Sequence, residues 1–238
     1  MNPYKRLFRS FGIDLRRYSP AANEFNRLAH YLQLHGVTLV LDVGANVGQF
    51  AEGLREGGYD GRIVSFEPLS QAHDILKQKA DEKWIVAPRL AIGDHCGEVE
   101  INISGNSYSS SILPMLDRHA NAAPDSSYVG SEPVMLLPLD EAAKEFVGPA
   151  DVVFLKIDVQ GFEAQVLAGA TGVLPRAVGL KVELSLVPLY EGSPTLESLV
   201  QKIRRLEFEW WDVECGFRDP PSLRLLQLDG VFFRKSAP

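Results

Sequence analysis

The sequence predicts an α/β fold built on a doubly wound, mostly parallel sheet of seven strands. Three observations predict it. Strand-like and helix-like segments alternate along the body of the chain, the pattern of a sheet covered by helices. Several strand-like runs, "VVFLKIDV" and "LVLDV" most clearly, are apolar at nearly every position, as strands buried on both faces must be. Finally, "LVLDVGANVGQFAEGL", Leu39 to Leu54, passes from a strand through a glycine turn straight into a helix, the arrangement in which such sheets bind nucleotides.

In chain order, residues 1–36 read as a basic, partly helical extension and 37–238 as the main body. The whole is one domain, because neither an internal repeat nor a long linker is visible. Residues 1–17 hold Lys5, Arg6, Arg9, Arg16 and Arg17 against Asp14 alone, a local balance of +4 that leaves −11 for the rest of a chain at −7. Leu7, Phe8, Phe11, Ile13 and Leu15 are spaced among those charges. This is either an amphipathic anchor for a membrane surface or acidic partner, or a basic arm packed on its own acidic body. The packed arm is the plainer reading. Helical patterns follow at Ala22–Leu34, Gln49–Glu56, Ser70–Ala80, Phe162–Ala168 and Thr195–Leu206. The last has an apolar stripe of Leu196, Leu199, Val200 and Ile203, with Lys202, Arg204 and Arg205 near its C-terminal end. Strands are expected at Val37–Val43, Arg62–Phe66, Trp84–Ile92, Val152–Val159, Leu180–Leu186, Phe208–Val213 and Val231–Arg234.

One region breaks the alternation. From Asn102 to Pro133 the chain is rich in Ser, Asn, Gly and Pro, with eight serines. An insertion of this length, following the third strand, is expected to be a functional lid or a disordered segment. Val99–Ile103 and Val134–Leu137 would fasten its ends as extra strands.

Composition narrows the function. The net charge of −7 and pI near 5.3 argue against a nucleic-acid partner. Cys96 and Cys215 form neither a disulfide framework nor a zinc spacing, and read as small buried hydrophobes in a reducing compartment. Neither a membrane-spanning run nor a signal peptide's apolar core is visible, so a cytoplasmic protein is expected. His30, His35, His73, His95 and His119 show no ligand spacing. His73 and His95 read as surface residues, while His119, in the Ser-rich segment, is a candidate to face a substrate.

The glycine turn carries the chemistry. Its spacing is Gly44-x-x-x-Gly48, with Asn46 where a dinucleotide fingerprint has its middle glycine. Asp42 adds a negative charge that a phosphate would find unfavourable. S-adenosylmethionine has no phosphate and carries an ammonium and a sulfonium, so a carboxylate at the strand end suits it. Glu67, in "SFEP", lies 19 residues after Gly48, where a carboxylate accepts hydrogen bonds from ribose hydroxyls. In "FLKIDVQGFEAQVL" a third apolar strand ends at Asp158, with a turn at Gly161 and Glu163 in the first helical turn. Glu183, inside "LKVELSLV", is costly unless it faces the cleft or pairs with a cation such as Lys156 or Lys181.

These motifs, with "LAIGD" before the Ser-rich segment, "VELSLVPLYEG" and the closing "LDGVFFRK", resemble the FkbM family of S-adenosylmethionine-dependent methyltransferases. The likeness runs from about Val37 to Arg234. It implies a Rossmann-like class I methyltransferase that methylates a hydroxyl of a sugar, glycolipid or polyketide-type secondary metabolite. It further implies that Asp42, Gly44, Ala45, Asn46 and Gly48 wrap the methionyl end, Glu67 with Pro68 holds the ribose, and Ala91 and Ile92 lie beside the adenine. Asp158 would sit near the methyl group, and Asn106 with Ser109–Ser111 would belong to a loop closing over cofactor and acceptor. The chain departs from many relatives at Gln160, where they have Glu, and at about Ser185, where they have His.

Methyl transfer to an alcohol needs positioning and a proton acceptor. Asp158, Glu183 and Glu163 are the candidates. His119, Tyr190 and Asn106 are candidates to meet the acceptor, and Trp210 with Trp211 would offer a stacking face or divide between core and surface. Asp158 and Glu183 would also be the pair to hold Mg²⁺, but a metal-free site is preferred because no third hard ligand is evident. An NAD-type binding module and a non-catalytic scaffold are the alternatives.

Overall fold

The computed structural model describes residues 3–13 and 19–235. Its elements in order are α1 (Pro3–Ser10), α2 (Glu24–Leu34), β1 (Leu39–Val43), α3 (Gln49–Glu56), β2 (Arg62–Phe66), α4 (Ser70–Lys79), β3 (Trp84–Val86), β4 (Ala91–Gly93) and β5 (Gly97–Ser104). There follow α5 (Asp117–Ala122), β6 (Tyr128–Pro138), α6 (Leu139–Ala142), β7 (Val153–Ile157), α7 (Glu163–Ala168), β8 (Ala177–Ser185), α8 (Leu196–Arg205), β9 (Phe208–Cys215) and β10 (Gln227–Arg234).

Seven strands form the main sheet in the order β3-β2-β1-β7-β8-β10-β9. β3, β2, β1, β7 and β8 run parallel, and β10 enters antiparallel between β8 and β9. The winding reverses beside β1, which pairs with both β2 and β7, and such switch points open a crevice at the carboxyl ends of the strands. Side chains alternate across the sheet. Leu39, Leu41, Val43, Leu155 and Ile157 pack with Val166 of α7 and Leu199, Val200 and Ile203 of α8. Val40, Ile63 and Phe154 face the other way, onto Leu28 and Leu32 of α2, Leu54 of α3 and Leu76 of α4. α2 thus belongs to the core, capped at its start by the Asn23 side chain, which accepts from the Asn26 N–H.

The run expected as one strand over Trp84–Ile92 is two. β3 stays in the main sheet, Pro88 intervenes, and β4 pairs with β6 in a second, three-stranded sheet of order β4-β6-β5. A proline has no N–H for a ladder and diverts the chain there. The expected fastening strands exist as β5 and β6. The segment between them is ordered by its own short polar side chains, with Asn102 and Ser111 paired through both backbone groups. Three surface expectations fail. Cys96 and Cys215 are exposed, on a turn and on the edge strand β9, while His73 is buried and its Nε2 lies 2.8 Å from the Ala87 carbonyl.

Candidate active site

The carboxyl ends of β1, β2, β7 and β8 and the Ser-rich insertion enclose a cavity of about 210 Å³. One wall is the glycine turn. Gly44, Asn46 and Gly48 have φ of +79°, +47° and +92°, so the chain turns through the left-handed region three times in five residues. Glycine takes that conformation freely and Asn is the side chain that tolerates it best. The positions differ in what they need. A Cβ on Gly44 would stand 1.8 Å from the Asp158 carbonyl oxygen, and one on Gly48 would meet Trp84 and Leu76 at 2.7–2.8 Å. The first glycine lets two strand ends meet and the second lets α3 seat against the core.

Gly44 and Asn46 line the cavity, whereas Ala45, Gly48 and Asp42 lie outside its wall. Asp42, expected to meet a cationic ligand, is fully buried on the α3 side of β1. Ladder register puts it opposite Ser65 and Lys156. Its Oδ2 accepts from Ser65 Oγ at 3.1 Å, and its Oδ1 lies 3.1 Å from Lys156 Nζ. Lys156 in turn donates to the Gly44 carbonyl at 2.7 Å. Burial alone would lower the Lys156 pKa, but the carboxylates of Asp42 and Asp158 outweigh it and hold the ammonium charged. Asp42 therefore acts on the turn from beneath, through a lysine.

Glu67 does line the cavity, with Pro68 and Leu69. Its Oε2 accepts from the Asn46 N–H at 2.7 Å and its Oε1 from the Leu69 N–H at 2.8 Å. Burial pushes its pKa up to about 7 against the pull of those two bonds. Next to it Phe66, Leu90, Ala91, Ile92, Ile101 and Phe162 form an apolar slot.

The far wall holds Asp158, Gln160 and Glu183. Gln160 sits at φ +55°. Its Nε2 donates to Asp158 Oδ1 and to Glu183 Oε2, each at 2.8 Å, and its Oε1 accepts from the Tyr190 hydroxyl at 2.8 Å. Gln227 Nε2 donates to the same Glu183 oxygen at 2.9 Å. Glu183 thus pairs with two amides, and neither Lys156 nor Lys181 is its partner. Lys181 instead pairs with Glu214 and Asp229. Burial, and then the charge of Asp158, raise the Glu183 pKa well above the usual carboxylate range.

Other candidate residues lie away from the cavity. Glu163 is buried, and its Oε1 accepts from the N–H groups of Gly161 (3.0 Å) and Val159 (3.3 Å), closing the turn before α7. Tyr190 is buried behind Gln160. His119 packs between Tyr190 and Phe217 at 5.1 and 5.3 Å between ring centroids, and burial lowers its pKa to about 4. It is a neutral core ring and does not face the cavity. Asn106 bonds within its own loop, to Ser104 Oγ and to Ser109. Trp210 packs tilted against Phe232 at 4.2 Å between ring centroids and Trp211 against Phe233 at 4.9 Å, at the sheet's far edge. The insertion reaches the cavity through Ser107, Tyr108, Ser110, Ser111 and Ile112. Ser107 Oγ accepts from Asn46 Nδ2 at 3.2 Å, and Ser111 Oγ donates to the Gln160 carbonyl at 2.7 Å. Ser107, Tyr108 and Gln160 escaped sequence reasoning as wall residues. The departure at Gln160, a neutral amide where many relatives have Glu, is the one signal in the sequence that points to it.

Residues 42–218 match the methyltransferase FkbM domain. The chain belongs to the FkbM methyltransferase family. No curated protein matches it in sequence. Among solved structures, this FkbM chain is similar to the methyltransferase domain of bacterial CtHen1-C at 10% identity, covering 92% of this chain and 100% of that one with a TM-score of 0.49. It is also similar to TehB from Haemophilus influenzae at 9% identity, covering 88% and 62% with a TM-score of 0.47.

Proposed function

We propose that this FkbM chain is an S-adenosylmethionine-dependent O-methyltransferase acting on a hydroxyl of a sugar, glycolipid or secondary metabolite. One observation carries the reading. The cavity wall holds three carboxylates, Glu67, Asp158 and Glu183, and among the described residues no lysine, arginine or histidine. A pyrophosphate there would meet three carboxyl groups and no cation in the wall, whereas a cationic ligand is favoured. The donor set fits S-adenosylmethionine. Each Glu67 oxygen keeps a lone pair beyond its backbone bond for a ribose hydroxyl, the apolar slot suits a purine, and Asp158 suits the cationic end. When bound, that cofactor supplies a methyl group made electrophilic by its sulfonium.

The chain's own part is to hold the acceptor and remove its proton. Glu183 is the proposed base, with Oε2 fixed by two amides and a pKa raised above the ordinary carboxylate range by burial and by Asp158. Asp158 and Gln160 orient it. Mg²⁺ has no part in the proposal, because the Gln160 amide occupies the position between the facing oxygens of Asp158 and Glu183.

Calorimetric titration with S-adenosylhomocysteine and with NAD tests the ligand class. Binding of the former is expected, weakened by about 1–3 kcal/mol in Glu67→Ala, the scale of lost charged hydrogen bonds. Binding of NAD without S-adenosylhomocysteine overturns the proposal. The acceptor is sought by mass spectrometry of cell extracts with and without the gene, as a product heavier by one methylene.

A further inference from the structure

The first helix is built unlike the others. Pro3 opens it, where the missing N–H costs nothing. At its end Gly12 has φ +75° and the Ile13 N–H donates to the Phe8 carbonyl at 2.9 Å, a Schellman closure that caps the helix from its own residues. Leu7, Phe8 and Phe11 recur at the spacing of one helical face, and Ile13 follows directly. All four are open to solvent, with Phe11 73% exposed and Leu7 57%. Every longer helix does the reverse: Leu28 and Leu32 of α2 and Leu199, Val200 and Ile203 of α8 are buried. A basic arm packed on its own acidic body would hide this apolar face, and it does not.

Charge identifies what covers it. Lys5, Arg6 and Arg9 are interspersed with these apolar residues in sequence, Arg16 and Arg17 follow, and the remainder of the chain carries −11. An acidic body is repelled by an anionic surface, so contact with one must run through this segment. No helix among the described residues is long and apolar enough to cross a membrane. We infer that α1 lies in the interface of an anionic lipid bilayer, its phenylalanine and leucine side chains among the acyl chains and its cations at the headgroups. The inference does not rest on the methyl-transfer reading. The arm would bring the cavity to a lipid-bound acceptor.

Co-sedimentation of the full chain with vesicles tests it. Binding is expected to phosphatidylcholine vesicles containing phosphatidylserine, at least about tenfold weaker to pure phosphatidylcholine, and weaker as salt rises. Phe8→Asp combined with Phe11→Asp should abolish binding while the melting temperature and S-adenosylhomocysteine affinity stay as in the wild type. A second variant, Lys5→Glu with Arg9→Glu, should lose the preference for phosphatidylserine. Wild-type chain left in the supernatant with anionic vesicles overturns the inference, as does undiminished binding by either variant. A dimer that the Phe8/Phe11 variant dissolves, without vesicle binding, also overturns it and makes the face an interface between copies.

Discussion

Asp42 and Lys156 are buried charges facing each other across paired strands, and removing Asp42 takes from Lys156 its nearest carboxylate, leaving Asp158 at 3.7 Å. Asp42→Ala is expected to cost about 3–5 kcal/mol of stability in thermal or urea denaturation, with a second change, Lys156→Met, returning part of the loss. If Asp42 instead touched the ligand directly, Asp42→Asn would melt like wild type and fail only in binding. At the other side of the turn, burial and then the charge of Asp158 favour the protonated form of Glu183 and raise its pKa. A base must be ionised to act, so turnover of an acceptor should rise with pH through a midpoint above the ordinary carboxylate range. Glu183→Gln should lower kcat by roughly 10²–10⁴-fold and leave S-adenosylhomocysteine affinity within about threefold. A pH profile flat from the carboxylate range upward would remove Glu183 from the role.

Among elements, α7 begins at a turn closed by Glu163, whose buried carboxyl is pushed up to about 7. Because its folded pKa lies above its unfolded one, the stability it contributes is full below about 4.5 and is lost as pH rises through about 7. Glu163→Gln keeps an oxygen for the Gly161 N–H and removes the titration. Its melting temperature should gain on wild type between those pH values, by the equivalent of about 1–3 kcal/mol; parallel melting curves across that window would contradict it. Elements with strong periodic patterns, such as α3 and α8, were legible because amphipathic spacing is a local property. The split of Trp84–Ile92 was not, since an apolar run bears no mark of which sheet will receive each half. Nor was the length of β6, Tyr128–Pro138, whose first half exposes Val129, Gly130, Ser131 and Pro133 and carries no alternating apolar pattern.

On the scale of the molecule, the ties that hold the insertion to the body include Asn46 to Ser107, Ser111 to Gln160, and the Tyr190 hydroxyl to the Ser109 carbonyl. The first two ties join it to a wall of the cavity, so ligand and insertion should order together. S-adenosylhomocysteine at a hundredfold excess over its Kd should stabilise the fold by about 2.7 kcal/mol. Amide exchange over residues 104–112 should slow with it, and exchange that ligand leaves unchanged there would show the insertion to be independent of the site.

The sequence by itself determined the α/β class, the glycine turn, the carboxylate at the end of the second strand and the family, because each is written in contiguous residues whose spacing has one physical reading. Only the tertiary structure decided which carboxylates face the cavity. Asp42, Glu163, Glu183 and Glu67 look alike along the chain. Strand register and neighbouring donors sorted them, turning Asp42 toward Lys156, Glu163 toward backbone N–H groups, and Glu67 and Glu183 inward. Such partners lie from 2 to 114 residues apart in sequence, and local pattern carries no record of them.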